Sequence, residues 1–219
     1  MNFNLAKELA EMEGIEVDSV VVKDDVAVKD STYSTGRRGI AGTVLVHKIA
    51  GAKAESGASL AEVKRVTEKT IANIRSMGMA MSPCILPGVG KPGFVLGENE
   101  IEIGMGIHGE PGVERTAPQS ASALAETLLG KILADYDFRG SEVAVMVNGL
   151  GSTPLMELHI LFNEVEKRLE PLGIKVRKAL VGNFMTSLEM AGASVTLLKL
   201  DGELATLLAA PSAAPAFRA

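Results

Sequence analysis

The sequence predicts an α/β protein. Three segments that read as strands, at 142–147, 175–181 and 193–200, alternate with two helical patterns at 118–136 and 153–172. Strands that alternate with helices of this length are typical of α/β folds. The composition agrees, because 47% of the residues are hydrophobic but only 4% are aromatic and none is Trp. The core must therefore be built from aliphatic side chains and Met.

The N-terminal third of the chain is predicted to hold three helices and one strand. Ser59 and Glu62 form a capping box, which is the signature of a helix start. The run at 15–22 is rich in β-branched residues and therefore predicts a strand. The predicted elements are, in order, a helix at Asn2–Met12, a strand at 15–22, a small-residue helix within 39–57 and a helix from Ser59 to Gly78.

A change in composition after that helix marks a predicted boundary between two regions, residues 1–80 and 81–219. Residues 77–93 read as a strand followed by a loop rich in Pro and Gly. In the second region, segments 93–96 and 100–107 flank a short turn and predict a hairpin. A last short helix is expected at 201–209.

Composition and charge exclude several classes of protein. The formal net charge is −5 and there is no basic block, so nucleic-acid binding is not expected. Cys84 is the only cysteine, which excludes an internal disulfide and fits a reducing compartment. No apolar run is long enough to span a membrane, and the N-terminal residues lack the pattern of a signal peptide. We therefore expect a cytoplasmic protein that binds neither nucleic acid nor membrane.

The segment GMGIHGEPG, residues 104–112, carries the strongest candidate residue, His108. Apolar residues alternate with Glu and Gly from 100 to 107, as in a strand with one buried face. If the alternation continues, His108 points away from the buried face and stands above Gly104 and Gly106, which leave open space. Two interpretations remain open: a presented, reactive imidazole, or a histidine in a tight turn whose glycines serve only backbone geometry.

Other polar residues are weaker candidates. His47 and His159 lie within predicted helices and are expected to be structural, since neither has the spacing of a metal-binding motif. Asp24, Asp25 and Asp30 suggest a magnesium site, but the intervening residues do not fit a known loop, and a solvated acidic loop is preferred.

The loop 148–154 follows a strand and opens a helix, with Thr153 as the expected cap and Pro154 at the first helical position. It is either an anion-binding loop or a plain connection, and it lacks the spacing of a phosphate-binding motif. Cys84 is interpreted as buried and inert.

Four segments together carry a resemblance to a known family. They are KDDVAVKDSTYSTGRRGIAGTVLVHKIAGA (23–52), EIGMGIHGEPG (102–112), VNGLGSTPLMELHILFNEV (147–165) and TSLEMAGASVTLLKLDGE (186–203). In this order they resemble the substrate-binding subunit of dihydroxyacetone kinases, over essentially the whole chain. GIHGEPG is the most specific of these stretches.

The resemblance implies that His108 is the catalytic residue and binds the substrate covalently. One ring nitrogen adds to the carbonyl of dihydroxyacetone, or of a close short ketose, and forms a hemiaminal. Gly106 and Gly109 are then the expected substrate-binding neighbours, and Glu110 is a candidate for orienting the imidazole because it is adjacent. No metal is expected in this site.

The resemblance also implies partners. ATP or ADP with magnesium is expected on a nucleotide-binding kinase subunit, with no cofactor on this chain, and a homo-oligomer is expected. The terminal hydroxyl of the captured ketose would be phosphorylated there. The alternative function is a non-catalytic ketose-binding or regulatory module.

The family's substrate subunits carry further residues upstream, including a second histidine and an aspartate. The resemblance therefore implies that residues 1–80 are the C-terminal portion of a first α/β domain and 81–219 a complete second α/β domain. Three explanations remain open: a second polypeptide that supplies the front half, a misassigned or truncated start, or a diverged binding module. We also expect exposed apolar surface along 15–22 and 40–49, where partner strands would be missing.

Overall fold

The computed structural model describes residues 2–29, 36–215 and 217–218. Within these ranges the chain forms six α-helices and a six-stranded mixed sheet, and the α/β class is confirmed. The helices are α1 (Asn2–Met12), α2 (Gly42–Glu55), α3 (Leu60–Ala72), α4 (Ala121–Asp135), α5 (Leu155–Leu169) and α6 (Gly202–Ala209). The strands of the sheet are β1 (Ile74–Ala80), β2 (Ile101–Ile103), β3 (Glu114–Thr116), β4 (Glu142–Gly149), β5 (Lys175–Gly182) and β6 (Gly192–Leu200). A 3-10 turn (Glu170–Leu172) follows α5, and a ribbon of β7 (Ala213–Ala214) and β8 (Phe217–Arg218) follows α6.

The sheet has the strand order β3-β2-β1-β6-β4-β5. Strand β6 pairs antiparallel with β1 and β4, and β5 runs parallel to β4 at one edge. Because β4 is covered on both faces, its alternate residues enter two different cores. Val143, Val145 and Val147 pack in the core that includes α4 and α5, whereas Ala144 and Met146 pack in the core of α2, α3 and α6.

Side-chain caps start three of the helices. Ser59, Ser120 and Asp201 accept hydrogen bonds from the backbone N–H three residues later, at 3.4, 3.2 and 2.8 Å, and so begin α3, α4 and α6. Such caps satisfy one of the four N–H groups that a helix start leaves without a partner. The predicted helix start at Ser59 is therefore confirmed.

The helix predicted to reach Gly78 ends at Ala72 instead. Asn73 terminates it with φ −104° and ψ 11°, and its Nδ2 donates to the Lys69 carbonyl at 2.8 Å. The next seven residues form β1, which pairs with β6 from Ile74 opposite Leu198 to Ala80 opposite Gly192. The last residues of the predicted first region thus lie in the same sheet as the strands of 81–219.

Two predicted strand features are wrong. Residues 15–22 form no strand, because this stretch of chain first meets β1 at Asp25, in an isolated bridge to Ser76, and has no strand to pair with before that point. Segment 93–96 forms no hairpin with 100–107, since β2 pairs with β1 and β3. Strand β2 is only three residues long because Gly104, at φ +79°, turns the chain out of the sheet.

The expected exposure of apolar residues holds for one segment and fails for the other. Ile40, Leu45 and Ile49 are fully buried in α2 and the turn before it, since α2 packs on α3, α6 and the sheet. Ile15 and Val21 are exposed, as expected for the run at 15–22.

Candidate functional site

The loop between β2 and β3, residues 104–112, is closed tightly at its base. The Gly104 N–H donates to the Gly78 carbonyl of β1 at 2.7 Å, and the Val113 N–H donates to the Ile103 carbonyl at 2.8 Å. His108 therefore lies at the tip of a loop, and the expected continuation of the strand up to it is wrong.

His108 is exposed but not free to turn. Its side chain is 79% exposed, yet Nδ1 lies 2.9 Å from Oε1 of Glu110, and its backbone N–H donates to Oε2 of the same carboxylate at 2.9 Å. Among the described residues, none hydrogen-bonds to Nε2. A carboxylate on Nδ1 favours the tautomer with the proton there, which leaves the lone pair on Nε2. In that tautomer the exposed ring nitrogen, Nε2, carries the lone pair.

Glu110 carries the negative charge that this arrangement needs. Burial acts to raise the pKa of its carboxyl group, but hydrogen bonds from the His108 ring and from the backbone N–H groups of Glu110 and His108 outweigh it. The net effect lowers the pKa of Glu110, so the carboxylate is ionised at neutral pH.

The two predicted substrate-binding glycines, Gly106 and Gly109, shape the loop around Glu110. Gly106 is buried, and a Cβ on it would lie 2.2 Å from Oε2 of Glu110, so a side chain there would displace the carboxylate. Gly109 has φ +81°, which favours glycine, and its N–H donates to the Gly106 carbonyl at 3.1 Å. Their contact with a substrate stays a prediction.

A buried ion pair binds the backbone of the 104–112 loop. Arg38 and Asp25 have side chains only 7% and 1% exposed, and Nε of Arg38 donates to Oδ2 of Asp25 at 2.8 Å. The other two nitrogens of Arg38 donate to the carbonyls of Gly104 at 2.7 Å and Pro111 at 3.2 Å. Burial raises the pKa of Asp25 to about 6, and the charge of Arg38 opposes that rise.

Asp24 and Asp25 are therefore buried, and the prediction of a solvated acidic loop is wrong for both. Asp24 is fully buried, and its two oxygens accept the backbone N–H groups of Ile40 and Gly42, each at 2.8 Å, at the start of α2. Burial raises the pKa of Asp24. Asp30 lies outside the described residues. Within the described ranges, no group of three or more His, Cys, Asp or Glu side chains is placed to hold a metal ion.

Glu102 anchors the far end of the loop and was not predicted to do so. It is buried, Oε1 accepts the Gly112 N–H at 2.6 Å, and Oε2 lies 3.3 Å from Nε of Arg115. The alternation of residues 100–107 had placed this carboxylate on the open face with the glycines. No local pattern signals its backbone partner, because Gly112 is ten residues away along the chain.

None of the remaining candidates has a described hydrogen bond or ion pair with His108. His47 and His159 are exposed on α2 and α5, and Cys84 is buried, with Sγ 3.9 Å from Oγ of Ser187. Thr153 does not cap α5. Its hydroxyl instead donates to the Gly192 carbonyl at 2.7 Å and accepts the Gly192 N–H at 2.8 Å.

Polar groups of the loop 148–154 are hydrogen-bonded to other segments of the protein. Oδ1 of Asn148 accepts the backbone N–H groups of Phe184 and Met185 at 2.9 and 2.8 Å, and Nδ2 donates to the Met185 carbonyl at 2.8 Å. The geometry favours the plain connection over an anion-binding loop.

None of the described helices is both long enough and apolar enough to cross a bilayer.

The family model of the Dak1 domain matches residues 1–216. The dihydroxyacetone-binding subunit DhaK of the PTS-dependent dihydroxyacetone kinase 1 of Listeria innocua is 53% identical over 204 residues, 93% of this chain and 62% of that protein. The corresponding subunit of the PEP-dependent dihydroxyacetone kinase of Escherichia coli is 40% identical over 99% of this chain and 68% of its own length. The chain thus spans about 62% of the length of the Listeria relative.

Solved structures agree in fold. A protein named dihydroxyacetone kinase operon co-activator superposes with a TM-score of 0.88 at 37% identity, covering 95% of this chain and 65% of that one. The dihydroxyacetone kinase of C. freundii superposes with a TM-score of 0.81 at 35% identity, covering 95% of this chain and 38% of that one. With a family model that spans nearly the whole chain and relatives at this identity, the chain belongs to the Dak1-domain family.

Proposed function

We propose that this chain holds the substrate for a dihydroxyacetone kinase. It captures dihydroxyacetone, or a close short-chain ketose, covalently on His108, so that the terminal hydroxyl can be phosphorylated. The observation that carries the proposal is the double contact of Glu110 with the ring and the backbone of His108, which leaves Nε2 exposed. The names of the Listeria and E. coli relatives support the substrate and the kinase class.

The addition of the ketose to His108 requires no metal ion. The Nε2 lone pair attacks the carbonyl carbon, a C–N bond forms, and the π electrons of the C=O bond move to oxygen, which takes a proton from water. The ring gains positive charge during this step and returns to neutrality when the Nδ1 proton leaves. The carboxylate of Glu110 stabilises that positive charge and is placed to accept the proton, which then passes to the hydroxide ion left by the water, so that the net change is addition of the ring nitrogen and one proton across the C=O bond.

Covalent capture also gives selectivity. Glycerol matches the ketose in size and hydroxyl groups but offers no carbonyl carbon to attack. Holding the ketose by one bond restricts the motion of its terminal hydroxyl, and phosphoryl transfer depends mostly on such positioning.

The phosphoryl donor belongs to the proposal as well. We place ATP or ADP with magnesium on a nucleotide-binding partner subunit, and we place the reaction in the cytoplasm, where a lone buried Cys84 stays reduced. The relatives named above are described as PTS-dependent and PEP-dependent, so a nucleotide recharged on the partner is one form of this donor.

A second candidate function, a regulatory ketose-binding module, has one specific observation in its favour. The co-activator superposes with a TM-score of 0.88, compared with 0.81 for the C. freundii kinase. Such a module would keep the chemistry of His108 and perform no phosphoryl transfer.

Turnover with a partner separates the two functions. The chain is mixed with a nucleotide-binding subunit of a dihydroxyacetone kinase and its phosphoryl donor, and dihydroxyacetone phosphate is measured. We expect turnover that His108→Ala abolishes and that His159→Ala, on the surface of α5, leaves unchanged. If the adduct forms on His108 but no partner and donor give turnover, the regulatory function replaces the kinase function.

A further inference from the structure

We propose that Arg38 is a positioning residue for the site, a buried clamp that fixes both ends of the 104–112 loop and so sets where His108 is presented. Asp25 is the counter-ion that holds the clamp in place. The consequence for substrate capture rests on the function proposed above, whereas the mechanical role of Arg38 does not.

The guanidinium group of Arg38 connects the two ends of the loop. Nη2 donates to the Gly104 carbonyl at 2.7 Å, where the chain leaves β2, and Nη1 donates to the Pro111 carbonyl at 3.2 Å, just after the tip. These carbonyls flank His108 in the sequence. Because a guanidinium is planar and rigid, its two nitrogens fix the separation of the two carbonyls. A lysine ammonium, a single point, cannot hold both in the same way.

The clamp is itself fixed to the core. Nε of Arg38 is bound by Oδ2 of Asp25, and Oδ1 of Asp25 accepts the Ala27 N–H at 2.9 Å. The Asp25 N–H donates to the Arg38 carbonyl at 3.2 Å, and the next residue, Val26, donates to the Ser76 carbonyl of β1 at 2.9 Å. The carboxylate that binds the guanidinium is therefore held on a segment that is hydrogen-bonded to β1.

The deep burial of this pair indicates that its role is to position the loop rather than to stabilise the fold. Both charges are almost completely removed from water, which carries a desolvation cost that the mutual attraction only partly offsets. Well-packed apolar side chains would fill the same space at no such cost. What they would not supply is two donors aimed at the carbonyls of Gly104 and Pro111.

Arg38 also borders the carboxylate that orients His108. A Cβ on Gly106 would lie 2.2 Å from Oε2 of Glu110 and 3.1 Å from Nη1 of Arg38, so both groups pack against the same glycine. If the clamp is released, the loop backbone shifts and carries Glu110 with it. The orientation of the imidazole is then lost even though neither His108 nor Glu110 has changed.

The neighbouring Arg37 provides a matched control. Its guanidinium binds the carboxylate of Asp135 at 2.7 and 2.8 Å at the end of α4, and it has no described contact with the 104–112 loop. Arg37→Lys and Arg38→Lys therefore make the same chemical change at adjacent positions. Each keeps the charge and loses a two-pronged contact, but only one of these contacts holds the loop.

The test compares the two variants of the full chain at a temperature where circular dichroism shows both to be folded. Amide hydrogen exchange is measured by NMR at Gly106, His108 and Gly109, whose N–H groups are all hydrogen-bonded within the loop. The affinity for carbon-13-labelled dihydroxyacetone is measured on the same samples. For Arg38→Lys we expect exchange in the loop to quicken about tenfold and adduct affinity to fall about tenfold, with neither change in Arg37→Lys.

The outcomes separate the two proposals. The clamp is wrong if Arg38→Lys shows the same loop exchange rates and the same adduct affinity as the wild type. It is also wrong if Arg37→Lys changes both quantities as much as Arg38→Lys does. If the wild type forms no adduct, the proposed function fails alone, and the loop exchange rates still decide the role of Arg38. If Arg38→Lys does not fold, the double variant Asp25→Asn/Arg38→Met leaves no unpaired buried charge and must show the same fast exchange in the loop, or the clamp is wrong.

Discussion

Glu110 contacts His108 through both oxygens of one carboxylate. Oε1 lies 2.9 Å from Nδ1 of the ring, and Oε2 accepts the backbone N–H at 2.9 Å. The ring is 79% exposed, so its orientation comes from this carboxylate rather than from packing. An imidazole held in this way keeps one nitrogen occupied and presents the other to solvent.

Replacing Glu110 by Gln tests the charge in that contact. Gln retains a carbonyl oxygen that can accept from Nδ1, but it cannot stabilise a positive ring or accept its proton. We expect the dissociation constant of the dihydroxyacetone adduct to rise about ten- to hundredfold, since hydrogen bonds to charged groups contribute about 1.5–3 kcal/mol. The measurement is an NMR titration with labelled ketose.

Glu100→Gln is the matched control for this change. Glu100 also accepts a nearby backbone N–H, that of Gly97 at 2.8 Å, but it has no described contact with His108. Equal affinity of the Glu110→Gln variant and the wild type for the ketose would contradict the role assigned to the carboxylate.

Gly106→Ala tests the space below Glu110. The new methyl group would lie 2.2 Å from Oε2 of Glu110, so the carboxylate must move and release His108. We expect adduct affinity to fall at least about tenfold, because the charged hydrogen bond to the ring is lost.

Gly130→Ala in α4 adds the same methyl group where nothing lies within 4 Å. It should leave adduct affinity unchanged and raise the free energy of unfolding by up to about 1 kcal/mol, because Ala is the better helix former. The same readouts apply to both variants, and an unaltered affinity in Gly106→Ala would show that the loop accommodates a side chain at residue 106.

Asp135 should make stability depend on pH in the acid range. The hydrogen bond from Arg37 leads the effects that lower the pKa of Asp135 from 3.8 to about 2, and Arg75 adds to it. Because the folded pKa lies below the unfolded one, this carboxylate stabilises the fold fully above about pH 4, and the contribution disappears as the pH falls towards 2. Asp135→Asn should therefore lower the free energy of unfolding by about 1–2 kcal/mol at pH 7, a value reduced for solvent screening.

Urea unfolding of the wild type and Asp135→Asn between pH 7 and pH 2 measures this effect. The gap between the two proteins should close in the acid range. Asp137→Asn, at an exposed position two residues later, should produce no gap of this size. A difference for Asp135→Asn that is independent of pH would contradict the assignment.

The elements that the sequence predicts correctly are those with strong local signals. Strands β4, β5 and β6 each contain several Val or Leu residues, and α3 and α6 begin at side chains that cap them. A strand was expected from residue 77, but the first residues of β1 were assigned to the helix, because its sequence, IRSMGMA, contains only one β-branched residue and continues the helical spacing of α3. Its pairing with β6, about 120 residues away, overrides that local pattern.

In the site, too, the residues predicted correctly are those whose contacts lie close together in the sequence. His108 and Glu110 are two residues apart, so the GIHGEPG segment was enough to predict both. Arg38 lies 66 residues from Gly104 and 73 from Pro111, and no pattern in the chain indicates these contacts. Asp24 and Asp25 look like a polar loop in sequence, because the partners that make their burial possible are supplied only by the fold.

The most direct test of the central claim is carbon-13 NMR of the chain with dihydroxyacetone labelled at its carbonyl carbon. Attack by Nε2 of His108 converts the carbonyl carbon into a tetrahedral one, so we expect a new tetrahedral signal that moves with the protein and grows with ketose concentration. His108→Ala should abolish this signal, whereas His47→Ala and His159→Ala, at exposed positions on α2 and α5, should retain it. A tetrahedral signal that persists in His108→Ala, or one that is absent from the wild type at saturating ketose in the presence of its kinase partner, would contradict covalent capture at His108.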